Sequence, residues 1–339
     1  MDWFRQTISR RVLLSATIAL GLAGNIHPAS AQTDPLPSWN DGTVKSSIID
    51  FVARVKKEGG TDFVKPEERL ATFDNDGTLW SEQPFYYQGV FALDQIKALA
   101  PSHPEWKTTQ PFQSVLEGDM AGVMKSGEKG LTEIIAVSAS GMSTDQFNKT
   151  VADWFATARE PRFKRPYGEM IFQPMLELLT YLRSNGFQTY IVSGGGVEFM
   201  RVYAEKAYGI PPQQVVGSSG VVKFELGTEG KPVLIKQPKI EFVDDGPGKP
   251  VGINRFIGRQ PIFAFGNSDG DLQMLQYAAA RKGASFQGLV HHTDAEREWA
   301  YDRASKVGTL DKALDAATAN GWTVVDMKRD WKVIFPPLK

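Results

Sequence analysis

RLATFDNDGTLW, residues 69–80, runs from four apolar-rich positions, Leu70 to Phe73, straight into Asp74, Asn75, Asp76, Gly77 and Thr78. A short apolar run that ends abruptly in acids reads as a buried strand delivering polar groups to the edge of a sheet. The same four letters, NDGT, also occur at Asn40–Thr43, but there they follow Trp39 and precede VKSSIIDFVARVKKEGG. That stretch has helical spacing and ends on a glycine pair, so the first copy reads as a helix start with Asp41 or Thr43 as the cap. Only the second copy follows a strand.

Other segments repeat the strand pattern: QTYIVSGGG (188–196), QQVVGSSG (213–220), PIFAFGNSDGD (261–271) and SFQGLV (285–290). Helical patterns separate most of them, including MLELLTYLRSNGF with Pro174 at its head and Gly186 at its tail. Alternation of this kind predicts an α/β fold, a doubly wound (Rossmann-like) parallel sheet with helices on both faces. Ligands of such sheets bind beyond the carboxyl ends of the strands, where the polar residues of every run collect. Residues 81–165 carry helical periodicity only, with a capping box at Ser143 and Gln146, and predict an all-helical cap inserted after the first strand. The catalytic core is then 32–80 together with 166–339, with Gln32–Trp39 a loose leader and 221–245 a hairpin turning at Gly227–Gly230.

Residues 1–31 stand apart from this fold. MDWFRQTISRR is basic, VLLSATIALGLAG is apolar, and Ala29-Ser30-Ala31 has the form of a cleavage site, so 1–31 reads as a signal peptide. The apolar stretch is shorter than the about 20 residues of a bilayer span, which predicts no stable membrane anchor. Arg10-Arg11 before it suits both the general secretory and the twin-arginine route. The expected location is periplasmic or secreted. A formal net charge of −1 offers nothing to nucleic acid, and the absence of cysteine excludes disulfides and thiol chemistry. Four histidines, His27 among them in the signal segment, make a poor source for a zinc site.

Two carboxylates at i and i+2 repel, so Asp74 and Asp76 need a reason to be neighbours. One is a divalent cation such as Mg²⁺, which takes carboxylate, water and phosphate oxygens. Another is divided labour, nucleophile and proton donor, with pKa values pushed apart by the shared site. Gly77 lets the backbone approach a phosphate closely. A calcium loop does not fit, because its glycine and glutamate positions are unmatched.

Asp74-x-Asp76-Gly77-Thr78 after an apolar strand resembles the first motif of the haloacid dehalogenase superfamily, in its phosphatases of the phosphoserine-phosphatase-like branch with a helical cap of the C1 type. That resemblance implies further motifs in order. Ser193 with Gly194 after YIV supplies the second, a phosphoryl-binding hydroxyl beside glycine N–H groups. Lys249, in DDGPGKPVGINRFIG, supplies the third in preference to Lys236 or Lys239. GNSDGDLQML, Gly266–Leu275, supplies the fourth. Asn267 stands where the family's pattern has an aspartate, so the metal set is Asp74, Asp76, Asn267 and Asp271, with Asp269 the competitor of Asn267.

The resemblance further implies that Asp74 forms an aspartyl-phosphate and Asp76 acts as acid and base, while Gly77, Thr78, Ser193 and Gly194 bind phosphate. Glu82 falls near the position that faces the substrate amine in that branch. The expected enzyme is a Mg²⁺-dependent phosphomonoesterase for a small phosphate ester such as phosphoserine or phosphocholine. A phosphotransferase to an alcohol and a non-catalytic phosphate-ester binding protein are the alternatives. The aromatics Trp80, Phe85, Tyr86 and Tyr87 can serve a quaternary ammonium or simply fill the cap hinge. His291-His292, adjacent and so pointing apart, suit a loop at the rim better than a metal site.

Overall fold

Phe73, the last residue of the first strand, lies between Ile191 on one side and Phe265 on the other in parallel register. This pairing centres a computed structural model that describes residues 34–338. The expected signal segment 1–31 lies outside the described residues. All elements below belong to the unit Pro35–Lys339.

The strands are β1 (Leu70–Phe73), β2 (Gln188–Gly196), β3 (Val215–Leu226), β4 (Pro232–Phe242), β5 (Phe263–Gly266), β6 (Phe286–Thr293), β7 (Ala300–Tyr301) and β8 (Thr323–Asp326). They form one sheet in the order β4-β3-β2-β1-β5-β6-β7, with β8 also on β6. Pairs β1–β2, β1–β5, β2–β3, β5–β6 and β6–β8 are parallel; β3–β4 and β6–β7 are antiparallel. The doubly wound sheet expected from the alternation is present. Strands β7 and β8 have no counterpart in the sequence reading: β7 is two residues long, and β8, TVVD, holds only two apolar residues.

Alternation along β5 divides the core. Phe263 and Phe265 point to one face with Phe51, Phe73 and Phe286, where the Phe263 and Phe286 rings stack at 4.8 Å. Ala264 points to the other, against Met274, Leu275 and Leu289. Helices α1 (Thr43–Lys56), α2 (Tyr87–Leu99), α3 (Phe112–Glu117), α4 (Met120–Lys125), α5 (Gly127–Ser138), α6 (Thr144–Thr157) and α7 (Gln173–Ser184) precede β2. α8 (Val197–Arg201) and α9 (Ala204–Tyr208) follow it. Next come α10 (Gly248–Gly252), α11 (Leu272–Ala279), α12 (Lys312–Asn320) and α13 (Met327–Asp330). None among the described residues is long and apolar enough to cross a membrane.

Two local expectations need correction. The first NDGT does begin α1, but the N-cap is Gly42 with no side-chain cap bond. Asp41 instead meets the Lys45 ammonium at 2.9 Å, because a charged partner one turn on competes for its carboxylate. The leader is not loose from residue 36 onward: Leu36 and Trp39 are buried, and the Trp39 indole donates to the Pro174 carbonyl at 2.9 Å while packing edge-on against Trp331. Apolar burial of this kind outweighs the chain entropy lost.

Helices α2 to α6 form the insertion; Leu93, Ile96, Trp106, Phe112 and Ile134 cluster together with Val307, while Phe147, Val151 and Trp154 of α6 join the main core. The outgoing and returning segments of the insertion pair, Ser81 N–H donating to the Met170 carbonyl and Phe172 N–H to that of Leu79. The capping box of α6 forms as the sequence predicts. The β3–β4 hairpin also forms, and its Lys236 backbone exchanges hydrogen bonds with Gly141 and Met142 of the insertion. Insertion and hairpin together stand over the carboxyl edge of the sheet.

Candidate active site

The loop after β1 is wound tightly. The Asn75 carbonyl accepts N–H groups of Thr78, Leu79 and Trp80, and Gly77 N–H returns to the Trp80 carbonyl. Gly77 sits at φ +72°, and a Cβ there would lie 2.0 Å from Asn267 Nδ2 and 2.4 Å from Glu82 Oε1. Glycine is required twice, for its dihedral and for its space. Asn75, buried between the carboxylates, donates to Tyr203 Oη and accepts from Tyr208, which pins the loop from below.

Register brings the motifs to one edge. Asp74 N–H donates to the Phe265 carbonyl, so the start of the Gly266–Leu275 segment lies beside it, and Ser193 lies on the neighbouring strand β2, two residues beyond Ile191, the partner of Phe73. Lys249 reaches in from α10 with Nζ 2.9 Å from Asp74 Oδ1 and 2.5 Å from Asp271 Oδ1. Lys236 points elsewhere, its ammonium paired with Glu198 and over the Phe147 ring. Asp269 caps α12, its Oδ1 accepting the N–H groups of Asp311 and Ala313, and so faces away from Asp74. Asn267 is the residue in contact with the first-motif loop: its Oδ1 accepts from the Thr78 hydroxyl at 2.9 Å and its Nδ2 donates to Glu82 Oε1 at 2.7 Å. Both oxygens of Asp271 are engaged, Oδ1 with Lys249 and Oδ2 with the N–H groups of Asn267 and Ser268.

Charges are crowded and dry. Burial first, then the Asp271 charge, lifts Asp74 to about 7 against the pull of Lys249. Burial lifts Asp76 to about 6, opposed by the Trp80 indole, which donates to its Oδ1 at 2.7 Å. Glu82 is raised mainly by burial, opposed by the Tyr301 hydroxyl on its Oε1. Burial disfavours the Lys249 ammonium, yet Asp271, Asp74 and Asp245 outweigh it and leave its pKa above the ordinary amine range. One buried cation is shared among more carboxylates than it can neutralise.

That imbalance tests the fit of Mg²⁺. Asp74 Oδ1 meets Lys249 Nζ at 2.9 Å and has no other donor, which leaves this buried oxygen room for a cation. The donors around it are all oxygen: Asp74, Asp76 and the Asn267 amide. No three His, Cys, Asp or Glu side chains among the described residues converge as a ready-made cluster. Magnesium needs only one or two carboxylates with waters and phosphate, so the residues fit it.

A cavity of about 580 Å³ opens from Asp74, Asp76, Ser193 and Gly194 upward beneath the insertion. The Ser193 hydroxyl accepts from Gly195 N–H at 3.2 Å. Gly196 N–H donates to Gln88 Oε1 of α2 at 2.6 Å, tying insertion to core. Of the four aromatics, Trp80 and Tyr87 are buried in the hinge, Trp80 stacked on Tyr203, while Phe85 and Tyr86 border the cavity.

The histidine pair lies on β6 rather than a loop. His291 is 3.5 Å from Asp302, and His292 reaches under the first-motif loop to the Gly77 carbonyl. Sequence reasoning missed the groups that chain distance hides: Gln88, Tyr301, Glu298 and the buried Asp244. Only DD at 244–245 ahead of Lys249 carried a readable signal.

Fold and site together define a doubly wound hydrolase with paired aspartates at the end of its central strand. The chain belongs to the haloacid dehalogenase-like hydrolases, whose family model matches residues 71–276. No curated protein matches it by sequence. Among solved structures it is similar to a protein of unknown function from Bordetella pertussis Tohama I, at 14% identity over 77% of this chain and 99% of that one, TM-score 0.48. It is also similar to a functionally unknown protein from Anaerococcus prevotii (16% identity, 74% and 86% covered, TM-score 0.43). A third is a probable phosphoserine phosphatase from Vibrio cholerae (14%, 74% and 65%, TM-score 0.37).

Proposed function

We propose that this chain is an exported phosphomonoesterase that works through an aspartyl-phosphate on Asp74. The observation that carries the reading is the Asp74 carboxylate at the end of β1, with Lys249 Nζ 2.9 Å away and Asp76 two residues on, lining one cavity with the Ser193–Gly196 end of β2. Export rests on the sequence of residues 1–31 alone.

Asp74 attacks phosphorus, an Asp74–phosphorus bond forms, and the bond to the ester oxygen breaks. Asp76, lifted by burial to about 6, hands its proton to that oxygen so that the alcohol leaves neutral. Water then attacks phosphorus, gives its proton to Asp76, and releases phosphate and the Asp74 carboxylate. Lys249 balances the negative charge gathered at Asp74 throughout, and the Ser193 hydroxyl with the Gly194 N–H holds phosphoryl oxygens. Mg²⁺, held by Asp74, Asp76 and Asn267, would neutralise charge on the phosphoryl group.

Hydrolysis of p-nitrophenyl phosphate, with and without Mg²⁺, beside Asp74→Asn, tests the reading. Metal-dependent turnover lost in the variant supports it; turnover that survives Asp74→Asn refutes it.

A further inference from the structure

The cavity has a mostly apolar lining. At about 580 Å³ it falls in the range of roughly 300–1,000 Å³ that drug-sized ligands occupy, far more than a phosphate on a two- or three-carbon alcohol fills. The acidic end is small: Asp74, Asp76, Ser193 and Glu82. An apolar part of the lining comes from Phe91 and Leu93 of α2, Met124 of α4, and Leu131, Ile134 and Ile135 of α5, while Glu198 of α8 and Lys236, Gln237 and Lys239 of β4 line it elsewhere.

The chamber is not the gap of an insertion swung outward. Gln88 Oε1 accepts Gly196 N–H at 2.6 Å, the Tyr86 hydroxyl accepts Gly308 N–H at 3.2 Å, and Lys236 N–H donates to the Met142 carbonyl at 2.9 Å. These three hydrogen bonds fasten the insertion to the core beside the cavity.

Resting on the phosphomonoesterase reading, we propose that the preferred substrates are phosphate monoesters of alcohols with a long apolar body, an alkyl or isoprenoid chain lying along α5 with the phosphate at Asp74. A sugar or nucleoside lying along α5 would place hydroxyls or ring nitrogens against these aliphatic side chains, which is unfavourable, and the Lys236, Gln237 and Lys239 groups of the lining belong to β4 instead. Glu82 Oε1 already accepts from Tyr301 and Asn267, which leaves only Oε2 to meet the ammonium of a small amino-alcohol phosphate. Each methylene placed on the wall instead removes apolar surface from water.

The test is phosphate release from ethyl, butyl, octyl and dodecyl phosphate, each below its micelle concentration, and from phosphoserine, with Asp74→Asn as background. The expected kcat/KM climbs about two- to fourfold per methylene until the chamber is full. Leu131→Gln makes the wall polar and Thr132→Trp fills the space from the same helix; each should flatten the climb. Equal kcat/KM across chain lengths, or a tenfold preference for phosphoserine, overturns the proposal. Absence of Asp74-dependent turnover on every ester, p-nitrophenyl phosphate included, overturns the phosphomonoesterase reading itself.

Discussion

His292 Nε2 lies 2.8 Å from the backbone carbonyl of Gly77, so β6 grips the loop that carries both site aspartates. A carbonyl can only accept, so Nε2 bears the hydrogen. The other ring nitrogen is 3.0 Å from Glu298 Oε2, and Glu298 also takes the Ser81 hydroxyl and Trp299 N–H. The ring stacks on Tyr301 at 4.4 Å, and Tyr301 bonds Glu82. Removing the imidazole in His292→Ala leaves a buried carbonyl and a buried carboxylate without their partner, a loss of about 1–3 kcal/mol. Urea unfolding should show that loss. kcat should fall more than KM changes, because the loop holds the reacting groups rather than the alcohol. Unchanged kcat in a destabilised variant would reduce His292 to a structural role.

Asn267 bridges Thr78 and Glu82, and this explains an amide there. An aspartate would lose the donor to Glu82 and set two carboxylates 2.7 Å apart. Asn267→Asp is expected to lower stability without metal and to bind Mg²⁺ about tenfold more tightly, through one added negative charge. Thermal shifts titrated with MgCl₂ read both effects. Equal Mg²⁺ response in the two proteins would remove residue 267 from the cation's surroundings.

Asp244 is fully buried, neither carboxylate oxygen has an aligned donor, and burial lifts it to about 8 against the influence of Lys249. Its folded value lies above the unfolded one, so its contribution is complete below about pH 4 and is lost as pH rises through about 8. The slope can reach about 1.4 kcal/mol per pH unit. Asp244→Asn should flatten the fall in melting temperature between pH 5 and 9. A parallel fall in both proteins would place the titrating group elsewhere.

Activity should carry the same signature at Asp74. Raised to about 7 by burial and Asp271, it is protonated, and a poor nucleophile, on the acid side. Added positive charge favours the carboxylate, so the acid limb of kcat/KM should move to lower pH as Mg²⁺ is raised. An acid limb that ignores Mg²⁺ argues against their contact.

Much of the architecture was legible because it is local. RLATF, YIVSGGG and PIFAFG announce strands through short apolar runs, and the Ser143–Gln146 box, Pro174 and Gly186 mark helix ends through chemistry that acts within one turn. Asp41 misled because a cap and an i,i+4 ion pair use the same carboxylate, and only packing chooses between them.

The sequence by itself determined the acids at the end of β1, the order of the strands along the chain and a helical stretch after the first of them, since each depends on neighbours in the chain. Tertiary structure alone decided that Lys236 pairs with Glu198, that Asp269 caps a helix, and that His292 holds Gly77. Those outcomes depend on strand register and on which buried charges find partners, and both are set by contacts between residues far apart in the chain.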